Sequence, residues 1–414
     1  MTDSGAKIKT TEELLVLKTA RKFKRLLEFF FPPKNSQNIW PLVPFIILHH
    51  FIQTLFMIMP LLETKNTQYL TVTATLARKI HSIISPLIYI NLAVWWQKRD
   101  VLVEFTQNLN NILLDDQFPL PASLRTSIIT DLESRHRLMV LSVTPVTQIM
   151  VLFYFLPPIV TFFLNPSPSR QLNLPLGIPN PLSFLGFTPN DVTRALVYFC
   201  ISVSIATQFY VIHIGTLLVF ITVDALKTAF FISGISFETI GHDDFSQREQ
   251  FVSAITHHQR LFRLSSKLKE VIEPILEVAL TGAMTYIVIG ELAIIQEFRD
   301  NFKMIAAIVI TLGIIYADFI LMGSTSQMAE DVAMRIYFNE HCVGRKIEFA
   351  QYFPFMIMRS NKPVKFRIYK CWAITYENSV KYTQLMYSFY IVLNSATSKY
   401  NKNMHLHSVT NHQG

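Results

Sequence analysis

Three stretches of this chain run for at least 23 residues without a charged side chain: Trp40–Leu62, Leu138–Phe163 and Ala195–Val223. A helix that crosses the hydrocarbon core of a bilayer needs about 20 mostly apolar residues. Several such stretches in one chain exclude an ordinary water-soluble fold. A fourth begins at Met304, runs to Ala317 and continues past Asp318 to Gly323. Three further segments have the length but carry charge. Ala77–Trp96 holds Arg78 and Lys79 at one end, where long side chains can reach back to water. Pro274–Phe298 holds Glu277 and Glu291, and Trp372–Ala396 holds Glu377 and Lys381. Seven spans is the resulting expectation. Composition agrees, since 16% of the residues are charged where a soluble chain has about one quarter. The fold class expected is all-α, a polytopic membrane protein with seven transmembrane helices.

Basic residues set the direction of insertion. The N-terminal segment holds eight Lys and Arg, including the run Arg21–Arg25, RKFKR. Together with the second, fourth and sixth connections it holds 27 of the 37, while the alternate segments hold seven. The N-terminus is therefore expected in the cytoplasm and the C-terminus outside. G-protein-coupled receptors have the opposite sense, which argues against that class. The net charge of +8 is explained by this retention of loops, so no nucleic-acid partner is expected. The N-terminus, MTDSGAKIKTTEELL, has no apolar core followed by a cleavage site, so the first span is expected to drive insertion.

The long cytoplasmic connections read as helical. HHQRLFRLSSKLKEVIEPILEV, from His257, has apolar residues at helical spacing. The spans are thus expected to continue as helices into a cytoplasmic packing domain, with His257 and His258 on a solvated face. The outer segment Asn165–Asn190 is proline-rich and could form a lid.

Catalytic signatures are lacking: there is no Gly-rich phosphate loop, no H-E-x-x-H and no G-x-S-x-G. Cys200, Cys342 and Cys371 suggest neither a disulfide framework nor a zinc site. His49 and His50 in the first span are assigned to packing. Glu291 and Asp318 lie within spans, where a structural ion pair is the default and a functional carboxylate the alternative. No enzyme activity, cofactor or metal is expected. The segment Lys381–Ala396, KYTQLMYSFYIVLNSA, has a polar group on almost every turn, more than a lipid-facing helix needs.

FMIMRSNKPVKFRIYKCWAITYENSVKYTQLMYSFYIVLNS, Phe355–Ser395, resembles the signature region of insect odorant receptors. Met358, Arg359, Ser360, Pro363, Tyr387, Ser388, Phe389 and Leu393 occupy that family's places. HHQRLFRLSSKLKEVIEPIL resembles the stretch before the family's fifth span. Phe366-Arg-Ile-Tyr departs from the more usual Leu-Thr-Ala-Gly. The related gustatory receptors carry Thr-Tyr, five apolar residues and Gln-Phe, whereas Thr375–Tyr376 is followed by ENSVKYT. The second cytoplasmic loop lacks the extension of the shared co-receptor, Orco, so the chain is similar to a tuning subunit.

The resemblance implies a ligand-gated, non-selective cation channel in the plasma membrane of olfactory neuron dendrites. It implies four subunits around a central pore, each contributing its last helix, with tuning subunits joining Orco in a heterotetramer. Residues 1–325 would hold six spans, the cytoplasmic loops and an outer-half ligand pocket. Residues 326–414 would hold a cytoplasmic anchor helix, the pore-lining seventh helix and a short outer tail. The pore is expected at Ile391 or Val392 as gate, with Asn394 and Ser395 as a polar step. Gln384, Tyr387 and Ser388 are expected to bond neighbouring helices. The pocket is expected from His81, Ser85, Gln148, Val151, Tyr154, Phe155, Phe199, Ser202, Thr311 and Ile315. Its lack of charge suits a small neutral volatile. The alternatives are a homomeric channel of the gustatory kind and a membrane transporter.

Overall fold

A computed structural model describes residues 13–30, 72–115, 120–164, 190–239, 247–296, 302–337, 353–360 and 364–411. The expected first span with His49 and His50, the outer segment up to residue 189, and Cys342 lie outside these residues. The described elements are α1 (Leu15–Phe30), α2 (Val72–Leu114), α3 (Ala122–Leu164), α4 (Asp191–Thr239), α5 (Gln247–Gln296), α6 (Phe302–Tyr337) and α7 (Phe353–Ser360). A two-stranded antiparallel hairpin, β1 (Arg367–Ile368) and β2 (Trp372–Ala373), leads into α8 (Tyr376–Asn411). Among the described residues the fold is all-α apart from that hairpin.

Six of the expected spans fall within α2, α3, α4, α5, α6 and α8. These helices run on well beyond the length a bilayer requires. α2 and α3 have 43 residues each and α5 has 50, so at 1.5 Å per residue α5 is about 75 Å long. Local chemistry fixes the ends. At the start of α4 the Asn190 side chain accepts from the Thr193 N–H at 2.8 Å, and Asp191 sits in the first turn beside the helix's positive end. The seventh span differs from expectation at its start. Trp372 and Ala373 pair as a strand, and the helix begins only at Tyr376.

The largest fully buried side chains gather mainly in the parts of the helices expected beyond the spans, and the buried core continues into the spans through Trp95, Leu218, Ile287 and Phe319. Phe23 and Leu27 of α1, Phe105 and Leu109 of α2, Leu132 of α3, Phe230 of α4 and Leu268 of α5 are all fully buried. Close approach helps there. A Cβ on Gly215 would lie 3.1 Å from the Trp95 indole, whose edge also meets Phe23 with ring centroids 4.8 Å apart. α1, α2 and α4 are thereby drawn together. Asp224 of α4, itself buried, accepts from Arg135 Nε of α3 at 3.3 Å, and His136 Nε2 lies 3.4 Å from the same carboxylate.

At the other end the pattern reverses. Leu152, Leu156, Phe163 and Leu164 of α3, Leu196 of α4 and Val309 of α6 are all more than half exposed. Among the described residues, only Tyr210–Glu238 is by itself long and apolar enough to cross a membrane. Most of it is buried, because it includes the part of α4 that runs through the core.

The histidine pair corrects the sequence reading. His257 and His258 are buried, not solvated. His258 sits edge-on to Phe230, Phe237 and Phe262, with its Nδ1 3.3 Å from Ser233 Oγ. The apolar spacing of α5 turns these two positions inward along with Leu261 and Phe262. Burial lowers the pKa of His257 from 6.5 to about 3. A depressed histidine destabilises the fold when the unfolded chain takes up the proton first, so stability falls as pH drops below 6.5. Between pH 7.5 and 5 this group is expected to cost about 2 kcal/mol. Thermal unfolding of the purified chain at the two pH values checks this, with His257→Gln expected to flatten the difference.

Candidate functional site

α8 is launched by a cap and held by a packed face. Thr375 Oγ1 accepts from the Asn378 N–H at 3.4 Å, and the Asn378 side-chain amide donates to the Ala373 carbonyl at 2.7 Å. The hairpin and the helix are thus one continuous unit. Tyr376 enters α8 against Gly323 of α6, where a Cβ would lie 3.3 Å from the tyrosine ring. Tyr382 is buried, donates to the Leu280 carbonyl of α5 at 2.7 Å, and lies between the rings of Phe319 and Trp372. Thr383 and Tyr316 of α6 join hydroxyls at 2.6 Å, and Met386 one turn on from Tyr382 is buried.

The opposite face is open from Glu377 to Ser395. Glu377, Lys381, Gln384, Ser388, Ile391 and Ser395 follow one another at alternating steps of four and three, and all are exposed. Such spacing keeps side chains on one stripe of a helix. Five of the six are polar. Ile391 is the apolar exception, 45% exposed. Val392, 64% exposed, flanks the stripe.

Of the expected pore residues, Ile391, Val392 and Ser395 therefore share the open side. Asn394 is half-buried towards the packed side, because it lies about 100° around the helix from Ser395. Gln384, Tyr387 and Ser388, expected to bond neighbouring helices, lie on the open side too. They are exposed, and Ser388 Oγ donates to the Gln384 carbonyl of its own helix at 2.9 Å. The four–three alternation from Glu377 onward was present in the sequence and would have placed Gln384 and Ser388 on the stripe.

The expected pocket residues are distributed over α2, α3, α4 and α6. Ile315 is buried, and Phe155 and Ser202 are half-buried. The Phe155 carbonyl accepts from Tyr198 of α4, which fastens α3 to α4 at this level. Gln148 and Phe199 lie at the exposed surface of the chain. His81, Ser85, Val151, Tyr154 and Thr311 fall on described helices, but their side chains are outside the described set, as are those of Glu291 and Asp318.

No family model matches the sequence, and no curated protein matches it. The fold does have solved counterparts. The insect olfactory receptor OR5 from Machilis hrabei, in complex with eugenol, superposes with a TM-score of 0.73 at 10% sequence identity. That match covers 92% of this chain and 98% of the receptor. A second structure of the same receptor also superposes with a TM-score of 0.73 at 10% identity, covering 91% of this chain and 97% of the receptor. The chain has the fold of these receptors.

Proposed function

We propose that this chain is a member of the insect odorant receptor family, the odorant-binding subunit of a ligand-gated, non-selective cation channel that assembles with the Orco co-receptor as a heterotetramer. The observation that carries the reading is the open stripe of α8. One chain leaves unpartnered a helix face that is polar at five of six steps and apolar at Ile391. Four such faces around an axis make a pathway that water and cations can wet, closed at one level by an apolar ring. Dewetting of such a ring shuts a pore, and small hydroxyls above and below replace hydration when it opens. Ile391 is the gate and Ser388 and Ser395 flank it; Val392 supports the ring from the side.

The ligand is a small neutral volatile, held between α2, α3, α4 and α6 in the apolar half. His81, Ser85, Val151, Tyr154, Phe155, Ser202, Thr311 and Ile315 form the pocket, with Gln148 and Phe199 at its periphery. Eugenol, the ligand of the related OR5, has that chemistry.

The exposed leucines and phenylalanines of α3, α4 and α6 support insertion in the plasma membrane, since soluble monomers rarely expose large apolar patches. A direct check is Leu152→Asp. In water this change at an exposed position is near neutral, whereas in lipid it is expected to cost about 3 kcal/mol and lower membrane insertion. Glycosylation-site mapping of the inserted fraction distinguishes the two.

The function is tested by expressing the chain in oocytes with and without Orco and applying a panel of neutral volatiles, eugenol included, under voltage clamp. Odorant-evoked current only with Orco is the expected result. Current from the chain alone would instead make it a homomeric channel of the gustatory kind. Saturable uptake without unitary events would make it a transporter.

A further inference from the structure

The hairpin ahead of α8 turns on two residues that rarely adopt its conformation. Tyr369 and Lys370 have φ of 52° and 59°, the left-handed region that L residues with side chains usually avoid. Such a conformation persists only where its surroundings enforce it. Here the enforcement comes from one face of α5. Glu273 Oε1 accepts from the Arg367 N–H at 2.8 Å, and Glu277 Oε1 accepts from the Tyr369 N–H at 2.7 Å. One turn further, the Thr281 hydroxyl meets the Tyr369 hydroxyl. Glu273, Glu277 and Thr281 are spaced four apart, so they form a single row on α5. Every one of them holds the hairpin.

The row continues into α8 at the same level. Tyr382 donates to the carbonyl of Leu280, adjacent to Thr281, and its ring leans on Trp372 of β2. Beyond the hairpin, Ile374 N–H returns to the Phe366 carbonyl at 2.8 Å, and Asn378 ties Ala373 to the first turn of α8. A displacement of α5 along its axis therefore reaches the start of α8 through short, charge-assisted hydrogen bonds. Carboxylate acceptors make stronger bonds to backbone N–H groups than neutral acceptors do.

Resting on the channel reading above, we propose that Glu277, with Glu273 and Thr281, couples movement of α5 to the pore helix by clamping the Arg367–Ala373 hairpin. Glu277 is a positioning residue: it touches neither ligand nor permeating ion. It transmits because the hairpin's strained turn has no freedom to absorb the motion while the carboxylates hold it.

The first test needs no current. In the purified full-length chain, Glu277→Ala is expected to speed amide hydrogen exchange over residues 367–373 by at least about ten-fold, since local opening sets protection. Glu277→Gln keeps an acceptor oxygen at the same place and is expected to retain most of the protection. Exchange unchanged in Glu277→Ala would overturn the clamp. The second test uses oocytes carrying Orco and whichever neutral volatile of the panel opens the wild type. Glu277→Ala is expected to lower maximal current per surface receptor at least about five-fold, with Glu277→Gln restoring it. A loss of current fully accounted for by lost surface receptor would make Glu277 a support of the fold alone and overturn the coupling role. A silent wild type would overturn the channel reading, and the coupling role with it, while the exchange result still decides the clamp.

Discussion

Ile391→Asn is expected to produce current in the absence of odorant, raised at least about ten-fold over wild type at equal surface expression. Ile391 is the single apolar step on the open stripe of α8, one turn from Ser388 and from Ser395. A closed pore that excludes water by an apolar ring has no other barrier at that level. An amide there hydrates the constriction and shifts the resting equilibrium towards conduction, whatever the ligand does. Val392→Asn, one residue off the stripe, is expected to leak less. Oocyte currents recorded without odorant, normalised to surface protein, measure both. Wild-type resting current in Ile391→Asn together with a leak in Val392→Asn would move the gate to Val392. Resting current unchanged in both would remove the gate from this stretch of the helix.

Phe230→Ala is expected to abolish surface expression. Phe230 of α4 is fully buried, with its ring 5.6 Å from Phe262 and 6.3 Å from His258. Emptying such a site costs about 3–5 kcal/mol, against a total stability for a domain of about 5–15 kcal/mol. Phe163→Ala makes the same chemical change in α3, where the ring is 72% exposed, and is expected to leave expression within two-fold of wild type. Surface biotinylation and thermal unfolding in detergent check the pair. Equal losses from the two changes would contradict the difference in burial between the two sites.

The sequence made the helices legible, because long uncharged stretches and helical spacing both point to α structure. The direction in which those helices face was harder to read. Tyr210–Glu238 is as apolar as a lipid-facing span, yet its side chains are mostly buried against other helices of the same chain. Apolar side chains look alike in sequence whether they meet lipid or protein. His257 and His258 were misread for the complementary reason, since polar residues inside a core are indistinguishable from a solvated face until their partners are known. The hairpin was hidden because FRIYKCW holds no glycine, asparagine or proline to announce a turn with positive φ. Glu277 counted against the fifth span in the sequence, whereas the structure gives it a backbone N–H to hold. On α8 the stripe itself was legible in the alternating steps of four and three. The half-buried setting of Asn394 was not, because it depends on which neighbours the helix packs against.

The placement of the core has a consequence for how chains of this fold can vary. Among the described residues, most of the fully buried large side chains lie at one end of the bundle, from Phe23 through Phe230 to Phe366. The described side chains at the other ends of α3 and α4, where the pocket is proposed, are mostly exposed or half-buried and carry correspondingly little of the folding free energy. On the proposed function, substitutions there would alter which volatile fits without endangering the core. A lineage built on this plan could vary one half of the molecule by point changes, while the other half holds the fold together.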